Sequence, residues 1–394
     1  MKRVGNLFPQ LISDENLEMA IREVNRTHHW RSHHRPNLCT AWVEETMPKR
    51  IVELRNILIN GFVQQEPRRS ERWDVSARKM RKICEPIQWP DQYVHHALIQ
   101  VIQPIMMRGM DRYCCGSIRG RGTHYAAKAI KHWMNNDYKR TKYCLCGDIR
   151  HFYDNLSQKT VMDRMRHLIK DYRVLDLIER ITANGVCIGA YTSQWFANTV
   201  LQPLDVMIRS SGLCSYYVRY MDNLTIFGPN KRKLHKLRKL IVIWLQEHGL
   251  KLKNDWQVFR VAFKELKIKL PSPRNGVKRQ KSRMPDAVGY RYGRDYTIPR
   301  KYTLFRLKRA LISYKKRKEH NRPIPSKLAA GLLSRLGQLQ HCNNYNLYKM
   351  LYKGEKIVRD LKKIVRIAQR NDMISWNEFL EQRKILKQNG FTVA

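Results

Sequence analysis

Asp148 closes an apolar run, Tyr143 to Ile149, that reads as a buried strand, and Asp222 sits between two short apolar runs, 216–221 and 224–227, whose spacing predicts a β-hairpin. A small sheet would bring the two carboxylates together. Carboxylates are the hard oxygen ligands that Mg²⁺ takes. Transfer of a nucleotidyl group uses two such ions, one activating the attacking 3′ oxygen and one steadying the triphosphate and leaving group, with Mn²⁺ as the alternative ion. The candidate metal set is Asp148 and Asp222 with Ile149 beside them, and Asn223 shares the hairpin tip as a candidate catalytic residue. Taken alone, Asp222-Asn223 is equally a good turn dipeptide and Asp148 a strand-end residue.

The elements that must position these acids follow from periodicity. Leu11, Leu17, Ala20, Ile21 and Val24 predict a first helix, with capping chemistry in Ser13 to Asn16, and another helix spans roughly 52–62. A basic stretch, Arg78 to Lys82, then leads into a proline-marked loop. Val94, Ala97, Leu98, Val101, Ile102 and Ile105 form the clearest core-facing stripe. The glycine-arginine segment 114–122 suits either a phosphate backbone or a plain turn, and Thr123 is a candidate cap for the helix after it. Helices are expected over 161–169, from Gly189 through Ile208, and over 231–249, giving the order strand, helix, helix, hairpin, helix. That order predicts an α+β layer with helices on one face of a small antiparallel sheet. Basic helices at 304–314, 328–339 and 345–367 predict a C-terminal helical domain jointed at Pro323-Ile324-Pro325.

Composition narrows the partner. A net charge of +43 over 394 residues calls for a polyanion, since self-repulsion on this scale is otherwise uncompensated. With 43% hydrophobic and 10% aromatic residues the chain can still bury a core, which excludes a disordered basic tail. No apolar run is long enough to span a bilayer and no signal-like h-region opens the chain, so the expectation is a cytoplasmic protein with no membrane partner. The nine cysteines contain no Cys-x-x-Cys pair and read as reduced thiols, with Cys144 and Cys146 on one strand face. The histidines at 28, 29, 33, 34, 95 and 96 read as polar or nucleic-acid-facing side chains.

Residues 147–156 (GDIRHFYDNL), 188–194 (IGAYTSQ), 220–223 (YMDN) and 249–252 (GLKL) resemble, in order and spacing, the successive palm motifs of reverse transcriptases. Most of that family has Gly-x-x-x-Ser-Pro in the second motif. Ser193-Gln194 here is similar instead to the bacterial or phage-encoded enzymes of diversity-generating retroelements. NLFPQL, VHHALIQVIQPI, RGRGTHYA, SQWFANTVLQPLD and LSRLGQLQHCNNYNLYKML extend the resemblance over nearly the whole chain, with 264–285 resembling an insertion.

The resemblance implies a right-hand polymerase: N-terminal helices and fingers over 1–142, a ferredoxin-like palm over 143–299 and a helical thumb over 300–394. It implies an RNA-directed DNA polymerase, error-prone and serving targeted diversification, that copies a structured template RNA with dNTPs and is accompanied by a small basic helical accessory protein. Asp148 and Asp222 would hold two magnesium ions. Tyr153 would lie under the incoming sugar, Lys79 and Arg81 would grip the triphosphate with Lys251 nearby, and Gly189, Ser193 and Gln194 would floor the nascent base pair. Arg119, Arg121, Arg274, Lys278, Arg279, Lys281 and Arg283 are the candidate contacts to RNA or to an RNA·DNA duplex.

One departure stands out. The family has a second aspartate where this chain has Asn223, which keeps a carbonyl oxygen but removes a negative charge. Asp154 lies too far along the chain to replace it and reads as a surface or capping residue. The alternatives are a catalytically weakened or silent RNA-binding homologue and a phage-defence or group II intron-like reverse transcriptase. A generic DNA-binding protein lacks helix-turn-helix or zinc-finger spacing.

Overall fold

In the computed structural model the described residues are 2–30, 35–74, 79–186, 188–262, 282–343 and 357–388. Four helices open the chain: α1 (Phe8–Leu11), α2 (Asp14–His28), α3 (Leu38–Glu45) and α4 (Met47–Asn60). The Ser13 side chain accepts the Asn16 N–H at the start of α2, as the sequence suggests, and two acidic residues fill its first turn.

An antiparallel hairpin, β1 (Arg68–Asp74) and β2 (Lys79–Glu85), follows where a basic stretch and a loop were expected. β1 is mostly exposed and β2 no more than half-buried, with charged residues at most of their positions, so the pair lacks the alternating apolar signal by which half-buried strands are recognised. Next come α5 (Tyr93–Met107) and α6 (Thr123–Asn136). Thr123 does not cap α6: the cap position is Gly122, in extended backbone, with no side-chain bond.

The central unit is β3 (Tyr143–Asp148), a helical layer, the hairpin β4 (Tyr216–Tyr220) and β5 (Asn223–Gly228), α12 (Lys231–Glu247) and β6 (Gln257–Val261). The layer comprises α7 (Phe152–Asn155), α8 (Gln158–Leu168), α9 (Tyr172–Thr182), α10 (Tyr191–Val200) and α11 (Gln202–Ser210). The helix expected from Gly189 through Ile208 is two, because Pro203 cannot donate to the preceding turn and sits in the first turn of α11.

The strands lie in the order β4-β5-β3-β6, antiparallel throughout, with a two-residue strand β7 (Ser282–Arg283) added parallel to β6. This is the strand order of a ferredoxin-like β-α-β-β-α-β unit, and the α+β expectation for a right-hand polymerase holds. One sheet face, through Leu145, Leu224 and Ile226, joins the main core with α5, α8, α10 and α12. The opposite face is covered at one end only, where Cys144, Val218 and Phe227 pack against α6 and a small sheet of β8 (Asp286–Ala287), β9 (Tyr290–Tyr292) and β10 (Thr297–Pro299). Towards Asp148 and Asn223 that face opens to solvent.

The C-terminal helices α13 (Lys301–Glu319), α14 (Ser326–Leu339) and α15 (Ile357–Gln388) share a separate apolar cluster built on Leu307, Leu311, Leu332, Leu336 and Leu361. α15 runs well past the expected end at 367, and the expected helical residues 345–356 lie outside the described residues. Far along α15, Trp376 stacks on His29 with ring centroids 4.6 Å apart and donates to Glu44, while Arg383 donates to Glu45. Among the described residues no helix is long and apolar enough to cross a membrane.

Candidate active site

The β3–β5 register sets Asp148 opposite Asn223, and the Ile149 N–H donates to the Asp222 carbonyl at 3.1 Å. Two residues 74 positions apart therefore meet at one end of the sheet because three strands share an edge. Cross-strand partners point to the same face, so Asn223 flanks Asp148 on the open side, where it is exposed.

Asp148 is half-buried. Its Oδ1 is buried and meets no hydrogen-bond donor among the described residues, while Oδ2 pairs with the Lys253 ammonium. The Asp222 carboxyl is pushed up to about 7, first by burial, then by the charge of Asp148 and a proton-sharing contact with it. Two carboxylates close enough to share a proton are close enough to share a cation, and the buried oxygen of Asp148 lacks a positive partner. The pair thus has the donor chemistry of a hard divalent-ion site. Among the described residues no group of three or more His, Cys, Asp or Glu side chains is arranged around a common point.

The turn that carries Asp222 is held from behind. Met221 adopts a left-handed backbone (φ 55°), as does His151 (φ 47°) just beyond Asp148, so unusual conformations for non-glycine residues flank both acids. Arg219 is wholly buried and chelates Asp205 through Nε (2.8 Å) and Nη2 (2.7 Å). Its Nη1 reaches the Asn198 side chain (2.9 Å) and the Met221 carbonyl (3.1 Å). Asn198 in turn donates to the Gly116 carbonyl at 2.8 Å, and a Cβ at Gly116 would lie 2.5 Å from the Met221 sulfur and 2.7 Å from its nitrogen. The glycine-arginine loop is therefore packed directly against the hairpin tip, which explains a glycine there.

The other candidate residues fall into three places. Tyr153 packs on the main core; burial raises its phenol, the Asp222 charge raises it further and the Arg81 charge opposes this. Arg81 donates to Asp74 at 2.6 Å, and Lys79 starts β2. Gly189 (φ 127°) would drive a Cβ to 2.5 Å from the Cys84 carbonyl, and the Cys84 N–H donates to the Ile188 carbonyl at 2.8 Å, so the 188–190 turn is clamped to β2. Ser193 is buried, whereas Gln194 is exposed and, with Gly189, lines a cavity of about 820 Å³ shared with Arg68, Arg72, Trp89 and His96. Tyr191 stacks on His96 at that cavity, centroids 4.0 Å apart.

Among the candidate nucleic-acid contacts, Arg119 is exposed on the loop beside the tip, Arg121 is half-buried and donates to the Asp111 carbonyl, and Arg283 is exposed on β7 and bonds Gln257. Arg274, Lys278, Arg279 and Lys281 lie outside the described residues. Lys251 is exposed, and Asp154 is exposed beside His151, as expected.

Two groups were not picked out from the sequence. Lys253 is one; the Leu-Lys-Leu-Lys alternation at 250–253 offers Lys251 and Lys253 alike. Arg219 carried a signal too, as the one charged residue inside an otherwise apolar strand.

Residues 74–268 match the family model described as reverse transcriptase (RNA-dependent DNA polymerase). The matched span contains both acids, the Gly189 turn and Lys253. Protein YkfC of Escherichia coli (strain K12) is 24% identical over 140 residues, 35% of this chain and 36% of that protein. Two solved structures are similar at low scores. An apo telomerase from Candida tropicalis, truncated from its C-terminal domain, has a TM-score of 0.42 and 14% identity, covering 59% of this chain and 54% of that one. A telomerase from Candida albicans in complex with a TWJ fragment of telomeric RNA has 0.41 and 12%, covering 80% and 59%. The chain thus spans about a third of the curated relative and less than two thirds of either telomerase.

Proposed function

We propose that the chain is an RNA-directed DNA polymerase whose Asp148 and Asp222 hold the catalytic divalent ions. The observation that carries this is the carboxylate pair itself: one buried oxygen without a donor among the described residues and one carboxyl raised by burial and by its neighbour, in a chain of net charge +43, inside a span that matches the reverse transcriptase family model. Mg²⁺ or Mn²⁺ bound there would supply activation of the primer 3′ oxygen and neutralisation of the triphosphate.

The chain's own residues supply the rest. Tyr153 bounds the sugar position and disfavours a 2′-hydroxyl by bulk. Arg81, Lys79 and Lys251 offer positive charge to the triphosphate, Arg81 by exchanging Asp74 for phosphate oxygens. Gly189 and Gln194 edge the cavity that would receive unpaired template, with Trp89 and the stacked His96 and Tyr191 as aromatic surfaces and Arg68 and Arg72 as phosphate partners. Arg119 and Arg283 reach a bound duplex from opposite sides of the palm. In this reading 1–142 are N-terminal helices and fingers, 143–299 the palm and 300–394 the thumb. The retroelement type, with error-prone copying of a structured RNA and a small basic accessory protein, draws on Gln194 and the flanking sequence resemblance.

Primer extension on an RNA template with Mg²⁺ and dNTPs tests the proposal. Wild type extends, Asp222→Ala abolishes extension while leaving the fold intact, and Tyr153→Ala admits ribonucleotides. A wild type that is inert, together with an inert Asn223→Asp variant, overturns it. A second reading, an RNA-binding homologue without catalysis, is favoured by Asn223 alone. It requires tight, salt-sensitive RNA binding that is indifferent to Mg²⁺ and to Asp148.

A further inference from the structure

We infer that Lys253 is the resting counter-cation of the carboxylate pair: it neutralises Asp148 when no divalent ion is bound and sets how tightly the nucleotide-free protein takes one up. The inference rests on the reading that Asp148 and Asp222 receive the metal, and it goes beyond that reading by assigning the group the metal must displace.

Lys253 is delivered to Asp148 by the main chain. Leu250 is buried after α12, and Leu252 packs on the main core directly over Gly147, where an added Cβ would meet its Cδ1 at 3.1 Å. With Leu252 pinned inward, the segment bridges antiparallel to the end of β3: Ile149 pairs with Leu252, the Arg150 N–H donates to the Lys251 carbonyl (2.7 Å), and the Lys253 N–H donates to the Asp148 carbonyl (2.8 Å). Side chains alternate along an extended segment, so Lys251 and Lys253 both point away from the core. Of the two, Lys253 stands beside Asp148 and closes the ion pair with Oδ2, its side chain 33% exposed and that of Asp148 24%. The pair is tethered at both ends by backbone bonds, unlike a surface ion pair between two freely moving side chains.

Charge counting gives the consequence. With both carboxyls ionised, the site holds two carboxylates, one ammonium, and an amide at 223 where the enzymes this chain resembles have a third carboxylate, so the protein alone offers at most one net negative charge. That suffices for a single weakly held divalent ion, which must compete with Lys253 for Oδ2 while Oδ1 stands ready. A second divalent ion needs the negative charge that arrives with the triphosphate.

Mn²⁺ titration of the full chain without nucleotide, followed by electron paramagnetic resonance of free Mn²⁺, tests this. Wild type should take up one ion per chain, weakly. Lys253→Met, which keeps length and removes charge, should bind on the order of tenfold tighter, the scale of one unit charge at close range in a half-exposed site. Lys253→Arg should stay within about twofold of wild type by the same electrostatics, and Asp148→Asn should remove the site. Thermal melting checks that each variant is folded, and Lys253→Gln carries the comparison if the methionine variant is not. Unchanged or weaker Mn²⁺ binding in the neutral variants, with Asp148→Asn still abolishing it, overturns the role of Lys253 and leaves the metal assignment standing. Mn²⁺ binding that ignores Asp148→Asn overturns the metal assignment and this inference with it.

Discussion

Asp205–Arg219 and Asp148–Lys253 are two acid–base pairs on either side of one hairpin. In the first, both side chains are buried to within 1% and both carboxylate oxygens are engaged: Arg219 chelates them in fork geometry, and the Tyr217 hydroxyl adds a bond to Oδ1 at 2.6 Å. In the second, both side chains reach solvent, one carboxylate oxygen is paired and the other is buried without a donor among the described residues. A pair whose hydrogen-bonding capacity is saturated resists any ligand and holds the fold. A pair left under-satisfied next to another carboxyl is poised to accept a cation. The same residue chemistry thus serves structure on one side and the candidate reaction on the other.

The largest expected effect breaks the open pair. If the chain is the proposed polymerase, Asp148→Asn should lower single-nucleotide incorporation by about 10³-fold or more, since losing the proposed metal ligand would remove several kcal/mol of transition-state stabilisation. Its urea midpoint should stay close to wild type. Arg219→Met does the reverse: it leaves Asp205 buried without its counter-charge and should cost about 3 kcal/mol or more of stability in urea denaturation. The double variant Arg219→Met with Asp205→Leu should recover part of that loss, because no uncompensated charge then remains while the Tyr217 hydroxyl, the Asn198 side chain and the Met221 carbonyl still lose a partner.

Gly116→Ala probes the link between the two pairs. The added methyl meets Met221 side chain and backbone at once, so it should cost about 1–3 kcal/mol and slow incorporation by displacing the tip that carries Asp222. The smallest effect is a pH dependence. The folded-state pKa of Asp222 is raised above its unfolded value, so its protonated form favours the fold; that contribution is complete below about pH 4 and is lost as pH rises through about 7. Metal-free stability should therefore fall by about 1 kcal/mol over that window once solvent screening is allowed for. Thermal melts of wild type and Asp222→Asn check it, the variant giving the flatter profile.

What could be read from the sequence followed from local pattern. Asp148 at a strand end, Asp222 at a hairpin tip and the sequence of strand, helical segment and hairpin between them are encoded in runs of two- and four-residue period, and the structure keeps that sequence while adding α7 and α9 to the two helices expected there. The β1–β2 hairpin left no such trace because β1 faces solvent at most positions and β2 is only half-buried, so neither strand needs a regular apolar face. The continuation of α15 to Gln388 leaves little local trace for a related reason: its side chains are largely exposed, and its anchoring rests on Trp376 meeting His29 and α3, and Arg383 meeting α3, more than 300 residues away in the chain. The break between α10 and α11 does carry a local signal in Pro203, which the apolar periodicity running through both helices masks.

By itself, the sequence determined the chemical inventory: a strongly basic chain with two acids where a metal is expected, an amide where a third acid would be, and strands and helices in an order that brings those acids to one sheet end. Only the tertiary structure decided which cation answers which acid. Alternation in Leu-Lys-Leu-Lys makes Lys251 and Lys253 equivalent, and they differ only because Leu252 packs over Gly147 and the bridge to Ile149 sets Lys253 beside Asp148. In the same way, Arg219 is a tether and not a surface charge because Asp205 and Asn198, from other elements, close around it. Pairing energies depend on distance, burial and satisfaction, and these are properties of contacts between elements that no local stretch of sequence contains.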